Sequence, residues 1–195
     1  MEIFPVLQKI INNLNVNISD NLIAELSNIC VGQTISKGGA FIRAGETPKD
    51  IGIVIDGLFR YFYIDEDGKD FTKAFSGSGK ILISYSAILQ NRPSHFSIEA
   101  LSNSKILTFN YKAFLSMMEK DIHWYPLAFK LIESVYVMKE LREKSFLLDD
   151  ATTRYKEFQE HYAEVENQIK LYHVASYLGI TPEALSRIRK KMTQN

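Results

Sequence analysis

Glycines at turn positions recur through residues 31–108 and divide this part of the chain into short segments. Between them lie runs rich in β-branched and aromatic residues, such as IGIVIDG, LFRYFYI and FTKAF. Short strands that repeat at roughly 8–12 residues, separated by turns, are typical of antiparallel sandwiches and barrels. The clearest hairpin signal is Asp67-Gly68, because glycine readily adopts the positive φ that a tight turn needs. The sequence therefore predicts an all-β unit in this region.

Helical periodicity flanks the β unit on both sides. Before it, apolar residues repeat at three- and four-residue spacing in two stretches, and Ser19 or Asp20 can cap the second. After it, residues 111–148 return to a helical pattern, which includes the uninterrupted stretch LAFKLIESVYVMKELREKSFLL. An apolar seam spaced near 3.5 residues runs along that stretch and consists of Leu127, Leu131, Ser134, Met138 and Leu141.

The long stretch has two readings. It is either a core helix packed on its own domain or a helix that pairs with its copy in a dimer. A helix of about 22 residues spans about 33 Å, which exceeds what a small barrel covers. We therefore favour the dimer helix.

The last part of the chain begins at the break LLDDATTRY, where Asp149 or Asp150 can cap a new helix. The stretch HVASYLGITPEALSRIRKK then has the order of a helix-turn-helix, with Gly179 at the turn and Thr181 capping the second helix. Two helices are predicted to face each other through Leu171, Val174, Ala175, Leu178, Leu185 and Ile188.

The outward face of the second helix is basic. Its early residues, Glu183 and Arg187, are placed to reach base edges. A glutamate accepts a hydrogen bond from cytosine, and an arginine donates two hydrogen bonds to guanine. Its later cations suit phosphates. The predicted DNA-binding residues are Thr181, Glu183, Ser186, Arg187, Arg189, Lys190 and Lys191. The alternative is a solvated terminal helix, and the Ala-Gly-Thr-Pro order combined with a basic face favours DNA.

Composition narrows the function classes. The formal net charge is zero, so affinity for DNA must come from a local basic patch. The single cysteine, Cys30, excludes an internal disulfide and a four-cysteine iron–sulfur site, and we expect it to be buried. Four histidines are scattered over three regions, so no metal site or other cofactor is predicted. Without a carboxylate pair or a nucleophile–base pair, no catalytic residue is predicted.

In these motifs the chain resembles the transcription-factor family of the cyclic-AMP receptor protein and the fumarate–nitrate reduction regulator, the Crp/Fnr family. The stretches similar to that family's β-roll and following helix are CVGQTISKGGAFIRAGETPKDIGIVIDGLFRYFYIDEDGKDFTKAF and ALSNSKILTFNYKAFLSMM. The resemblance implies an α+β chain: an N-terminal double-stranded β-helix, or jelly roll, of the cyclic-nucleotide-binding type, then a long dimerisation helix, then a C-terminal winged helix-turn-helix. The implied domains are residues 1–120, 121–148 and 149–195.

The family's recognition helix is similar to TPEALSRIRKK. In that helix a glutamate and an arginine four residues later read bases, and these roles carry over to Glu183 and Arg187. The resemblance also implies a homodimer that reads a palindromic site. The family's wing hairpin is not expected, because the chain stops at Asn195.

The effector positions depart from the family pattern. Cyclic-nucleotide binders hold the ribose with a Gly-Glu pair and the phosphate with an Arg followed by Ser or Thr. Here those positions hold Ile83-Ser84 and Ser94-His95, and Arg92 lies on the other side of Pro93. A buried phosphate needs a cation and aligned donors, so cyclic AMP is not expected in the usual mode. The candidate effector pocket is Ile83, Ser84, Tyr85, Arg92, Ser94 and His95.

The resulting hypothesis is a homodimeric transcriptional regulator with a roll that senses an unidentified small molecule or has lost sensing. Its predicted partners are double-stranded DNA and a second copy, with RNA polymerase as a further candidate. No leader and no apolar run of about 18 residues is present, which predicts a cytoplasmic protein without a membrane partner. The alternatives are a small-molecule-binding or signalling module that does not bind DNA and, less favoured, an enzyme built on the roll.

Overall fold

The computed structural model describes residues 2–193. Two helices lead into the β region: α1 spans Ile3–Asn13 and α2 spans Asp20–Ile29. Of the two predicted caps, Ser19 is the one observed, because its hydroxyl accepts from a backbone amide in the first turn of α2 at 3.5 Å.

Eight strands form two four-stranded antiparallel sheets with the orders β1-β8-β3-β6 and β2-β7-β4-β5. The strands are β1 (Val31–Ile35), β2 (Ala40–Ile42), β3 (Asp50–Asp56), β4 (Phe59–Ile64), β5 (Asp70–Ser76), β6 (Ile81–Leu82), β7 (Ser97–Ala100) and β8 (Ser104–Asn110). The turn between β4 and β5 contains Gly68 at a φ of 79°, as the hairpin prediction requires. The predicted roll is confirmed.

Apolar residues fill the space between the two sheets, because successive side chains of a strand face opposite sides. This inner cluster contains Ile42, Val54, Phe59, Tyr61, Leu82, Phe96, Ile98, Ala100 and Ile106. A second cluster packs α1 and α2 against the outside of the roll and includes Cys30, which is buried as predicted.

One helix inside the β region was not predicted. Helix α3 spans Tyr85–Gln90, between β6 and β7, and buries Ala87 and Ile88. It ends at Asn91, which has a left-handed φ of 49°. Six residues are too few for a helical period to stand out from a short apolar strand, which explains the omission.

The predicted long helix is present. Helix α4 (Tyr111–Lys120) and a 3₁₀ turn (Ile122–Trp124) precede α5, which spans Tyr125–Leu148. Most of α5 is solvent-exposed, and Leu141 of the seam is 62% exposed. Leu127, at the start of the seam, is instead buried in the chain's own cluster with α1 and α2, because the first turn of α5 packs on the roll. No helix within residues 2–193 has both the length and the apolar composition that crossing a bilayer requires.

The C-terminal region consists of α6 (Ala151–His161), a 3₁₀ turn (Glu166–Gln168), α7 (Leu171–Leu178) and α8 (Pro182–Thr193). Asp150 caps α6 by accepting from a backbone amide at 2.8 Å, which decides between the two predicted caps.

One predicted inward residue of this region is not inward. Leu171 is 47% exposed, whereas His173 is buried in the same helix. The reason is that α7 packs on strand β5 as well as on α8, so the buried face of α7 is turned toward His173 and Val174.

Candidate nucleic-acid interface and effector region

The turn between α7 and α8 depends on Gly179. This residue has a left-handed φ of 69°, and the backbone amides at the turn donate to the carbonyls of Ala175 and Ser176. A Cβ atom at Gly179 would lie 3.0 Å from the ring of Phe146 on α5. The turn therefore needs glycine both for its backbone angle and for its close approach to α5.

Helix α8 begins as the sequence predicts. The Thr181 hydroxyl accepts from the Ala184 amide at 3.2 Å, and Pro182 occupies the first helical position, where an amide hydrogen would have no partner within the helix. Glu183 follows in the first turn. Hydrogen bonds at this helix start, together with Arg187, hold the pKa of Glu183 below its usual range. Glu183 is thus an ionised acceptor at neutral pH.

The two faces of α8 differ sharply. Leu185 is 1% exposed, and Ile188 and Met192 are half-buried against the same cluster. The predicted DNA-binding residues are exposed: Thr181, Glu183, Ser186, Arg187, Arg189, Lys190 and Lys191. Within residues 2–193, no ion pair ties Arg187, Lys190 or Lys191 to a carboxylate. The arrangement presents an acidic residue and several cations to solvent on one helix, and their contact with DNA stays a prediction.

The predicted effector residues are only partly brought together. Ser84, just before α3, and Ser94, just after it, are both buried, and their hydroxyl oxygens lie 2.9 Å apart. The Ser94 hydroxyl is also 2.7 Å from the Phe96 carbonyl. Among the other four, Ile83 is half-buried and three are exposed, namely Tyr85, Arg92 and His95.

This geometry does not fit a cyclic phosphate. The two buried hydroxyls already bond to each other, and Arg92 is exposed to solvent. A desolvated phosphate would lack the compensating charge it requires. The role of these residues in binding another effector stays a prediction.

Lys73 is a partly buried cation next to the roll's inner cluster that the sequence did not single out. Its ammonium nitrogen lies 3.8 Å from the centroid of the Phe96 ring, on the roll side of β5. Burial, then the charges of Lys139 and Arg142 on α5, lower the pKa of Lys73 to about 8. A register shift places Lys73 between the residues paired with Tyr61 and Phe62, so it is the extra residue of a β-bulge. The alternation of apolar and polar residues in the sequence does not reveal such a register shift.

Comparison with known families supports the description of the roll. Residues 33–121 match the family model described as "Cyclic nucleotide-binding domain". No curated protein matches the chain in sequence.

Solved structures resemble the chain over most of its length. A double mutant of CooA from Carboxydothermus hydrogenoformans matches with a TM-score of 0.71 at 18% identity, over 95% of this chain and 84% of that one. FixK2 from Bradyrhizobium japonicum matches with a TM-score of 0.66 at 18% identity, over 85% of each chain. A proposed regulator of the Crp/Fnr family from Eubacterium rectale matches with a TM-score of 0.69 at 13% identity, over 90% of this chain and 84% of that one.

The chain has the Crp/Fnr fold. The resemblance noted in the sequence is thereby confirmed, and so is the predicted α+β fold class. Within the Crp/Fnr fold, the family model covers the roll, and the match to CooA extends the likeness to nearly the whole chain.

Proposed function

We propose that this Crp/Fnr-fold protein is a transcriptional regulator that binds double-stranded DNA through α8. The observation that carries the proposal is the division of α8 into a buried apolar face and an exposed basic face. A helix of this kind, preceded by a short helix and a glycine turn, fits the major groove. No catalytic role is proposed, and the location in the cytoplasm, the contact with RNA polymerase and the three domain limits stay predictions.

Each exposed residue of α8 has a role in this proposal. Glu183 and Arg187 are one helical turn apart and read base edges, since an ionised carboxylate accepts from cytosine and a guanidinium donates twice to guanine. The remaining polar residues hold the phosphates on either side of the groove. These are Thr181, Ser186, Arg189, Lys190 and Lys191.

The regulator acts as a homodimer in which α5 pairs with its copy. The support is the exposed apolar surface of α5, which includes Phe129, Ile132, Val135, Met138 and Leu141. Large apolar side chains exposed in this number along one helix favour burial against a partner. Two copies related by a two-fold axis would present two α8 helices to a palindromic site.

The seam of α5 can be tested directly. We expect Leu141→Glu to convert the dimer to monomers at micromolar concentration, because it places two carboxylates in an apolar contact. Val31→Glu is the matched control, because Val31 is also apolar and exposed but lies on β1, outside α5. Sedimentation velocity reads the outcome, and a dimer that survives Leu141→Glu would contradict pairing along the seam.

The roll serves as a sensor that does not bind cyclic AMP in the usual mode. This follows from the mutually bonded Ser84 and Ser94 hydroxyls and from the exposed position of Arg92. Calorimetric titration of the protein with micromolar cyclic AMP is expected to give no heat of binding. A saturable isotherm would contradict this part of the proposal.

Selection from random DNA tests the function as a whole. We expect the bound fragments to share an inverted repeat, and binding to a selected fragment to weaken with salt at a log–log slope of about −0.9 per phosphate contacted. An absent or salt-independent interaction would favour the alternative, a sensory or signalling module that does not bind DNA.

A further inference from the structure

The outer side of strands β4 and β5 is covered by the C-terminal region of the same chain. Leu58, just before β4, and Phe75 on β5 belong to one buried cluster with eight residues of that region. Those residues are Tyr155, Phe158, Tyr162, Ile169, Val174, Ala175, Leu178 and Leu185. The α7–α8 pair therefore shares a core with the roll.

A buried arginine stands at the centre of this contact. Arg60 on β4 is 3% exposed, and its two terminal nitrogens each donate to a carboxylate oxygen of Asp70 at 3.0 Å. One of these nitrogens is also 2.7 Å from Nδ1 of His173 on α7. Within the roll, the Arg60 guanidinium is thus paired with the Asp70 carboxylate, and one further hydrogen bond joins it to α7.

His173 is suited to accept that bond. It is 5% exposed, and burial, followed by the charge of Arg60, lowers its pKa to about 4, whereas Asp70 opposes the shift. The ring is therefore neutral at physiological pH, and its Nδ1 is the acceptor because a guanidinium can only donate.

Three further hydrogen bonds join β5, α7 and α5. The Thr72 amide of β5 donates to the Ser176 hydroxyl of α7 at 2.8 Å. Arg142 of α5 donates to the Tyr177 carbonyl of α7 at 2.9 Å and to the Thr72 carbonyl at 3.4 Å. Helix α7 is thus bonded to the sheet and to the long helix at once.

These contacts do more than bury surface. Apolar packing is non-directional and lets two elements shift with little cost, whereas hydrogen bonds with fixed lengths and angles allow only one arrangement. A buried cation is also a poor source of stability compared with apolar residues of similar volume. The buried position of Arg60 is therefore better explained by a role in orienting α7 than by a contribution to the free energy of folding.

We propose that Arg60 is a positioning residue which, through His173, fixes the orientation of the α7–α8 pair on the roll. The roll and the recognition helix then move as one body. In a dimer, the distance between the two α8 helices is set by the rolls, and with it the spacing of the half-sites. This last consequence rests on the proposed function.

The orientation itself is tested without DNA. His173→Leu removes the acceptor and leaves the Arg60–Asp70 pair intact, whereas His173→Asn keeps an acceptor oxygen close to the position of Nδ1. Spin labels at Lys105→Cys on the roll and Lys191→Cys on α8, in a Cys30→Ser background, report the distance between the two parts. Labelled protein is mixed with an excess of unlabelled protein so that only distances within one chain are measured.

We expect a narrow distance distribution in the parent protein and in His173→Asn, and one about twofold wider in His173→Leu. His123→Leu, at an exposed histidine outside this contact, is the matched control and should match the parent. Unchanged width in His173→Leu would overturn the proposal. Should His173→Leu not fold, His173→Phe removes the same acceptor with a side chain of similar size and is expected to widen the distribution likewise, and no widening there overturns the proposal as well.

The effect on DNA is measured separately with selected half-sites separated by spacers of different length. The parent is expected to prefer one spacing, and His173→Leu to lose about tenfold of that preference while keeping its affinity for a single half-site. Wider distances with an unchanged spacing preference would contradict the role in spacing. Absence of DNA binding by the parent would refute the proposed function and leave the distance result to decide the positioning role.

Discussion

The exposed polar side chains of α8 differ in the contacts that we propose they make with DNA. Arg187 lies in the first half of the helix, one turn after Glu183, whereas Lys190 lies in the second half. A guanidinium recognises one base through two donors in a plane, but an ammonium is a point charge that any phosphate satisfies. We therefore expect residues early in α8 to determine the preferred DNA sequence and residues late in α8 to contribute affinity for any sequence.

We predict that Arg187→Ala lowers the affinity for the selected site by about 1–3 kcal/mol and relaxes the preference at one base pair. Lys190→Ala should weaken binding to every sequence alike and reduce the salt slope by about one phosphate. Fluorescence anisotropy with the selected site and with single-base variants measures both. Equal losses from both substitutions on every sequence would contradict the assigned roles.

His173 makes the stability of the protein depend on pH. Its pKa is about 4 in the folded protein and near 6.5 in the unfolded chain, so between these values the unfolded chain binds more protons. The contribution of His173 is therefore fully present above about pH 6.5, is lost as the pH falls, and is gone near pH 4. The free energy of unfolding should fall over this window by at most about 1.4 kcal/mol per pH unit from this group.

Urea unfolding at several pH values between 7 and 4, compared with His173→Asn, isolates that contribution. The variant should lack part of the decline, while His161, whose pKa is also lowered by burial and by Lys80, contributes equally to both proteins. Parallel curves for parent and variant would mean that His173 does not differ in protonation between the folded and unfolded states.

At the level of elements, the turn between α7 and α8 gives a clear prediction. Gly179→Ala should cost about 1–2 kcal/mol for the left-handed backbone and more for the contact of the new Cβ with Phe146, 3.0 Å away. Gly38→Ala is the matched control, because Gly38 has a φ of 81° but open space around it.

Thermal and urea unfolding of both glycine variants give the comparison. The larger loss at Gly179 is the expected result, and equal losses would mean that Phe146 moves aside without cost. A test of DNA affinity in Gly179→Ala further shows whether the turn sets the angle of α8.

Local signals explain which elements could be predicted from the sequence. Gly68, Gly179 and Thr181 mark a turn, a helix end and a helix cap through chemistry that acts over three or four residues. Lys73 was missed because a bulge reverses its side, and the bond between Arg60 and His173 was missed because 113 residues separate the partners. No periodicity connects residues that distant.

At the scale of the whole molecule, one apolar core extends across the boundary between the roll and the C-terminal helices. Phe75 of β5 contacts Phe158, Tyr162 and Tyr177, with ring centroids 5.5–6.2 Å apart. Such a shared core predicts that the two parts unfold together rather than in sequence.

We predict that Phe75→Ala destabilises the protein by about 3–5 kcal/mol and that hydrogen exchange then accelerates in α7 as well as in β5. Val54→Ala lowers stability inside the roll without touching the shared cluster, and it is also expected to accelerate exchange in α7, because the two parts unfold together. Rapid exchange confined to β5 in Phe75→Ala would indicate independent units.

The position of β5 at the end of its sheet has a consequence for how the chain behaves when cut. The Thr72 amide, which points away from β4, is occupied by Ser176, so the C-terminal helices stop another polypeptide from adding a strand there. A fragment ending at Leu148 would leave that row of donors and acceptors open beside the bared ring of Phe75. Such a fragment is expected to form insoluble aggregates, and we therefore expect the C-terminal helices to protect the chain from aggregation at this edge.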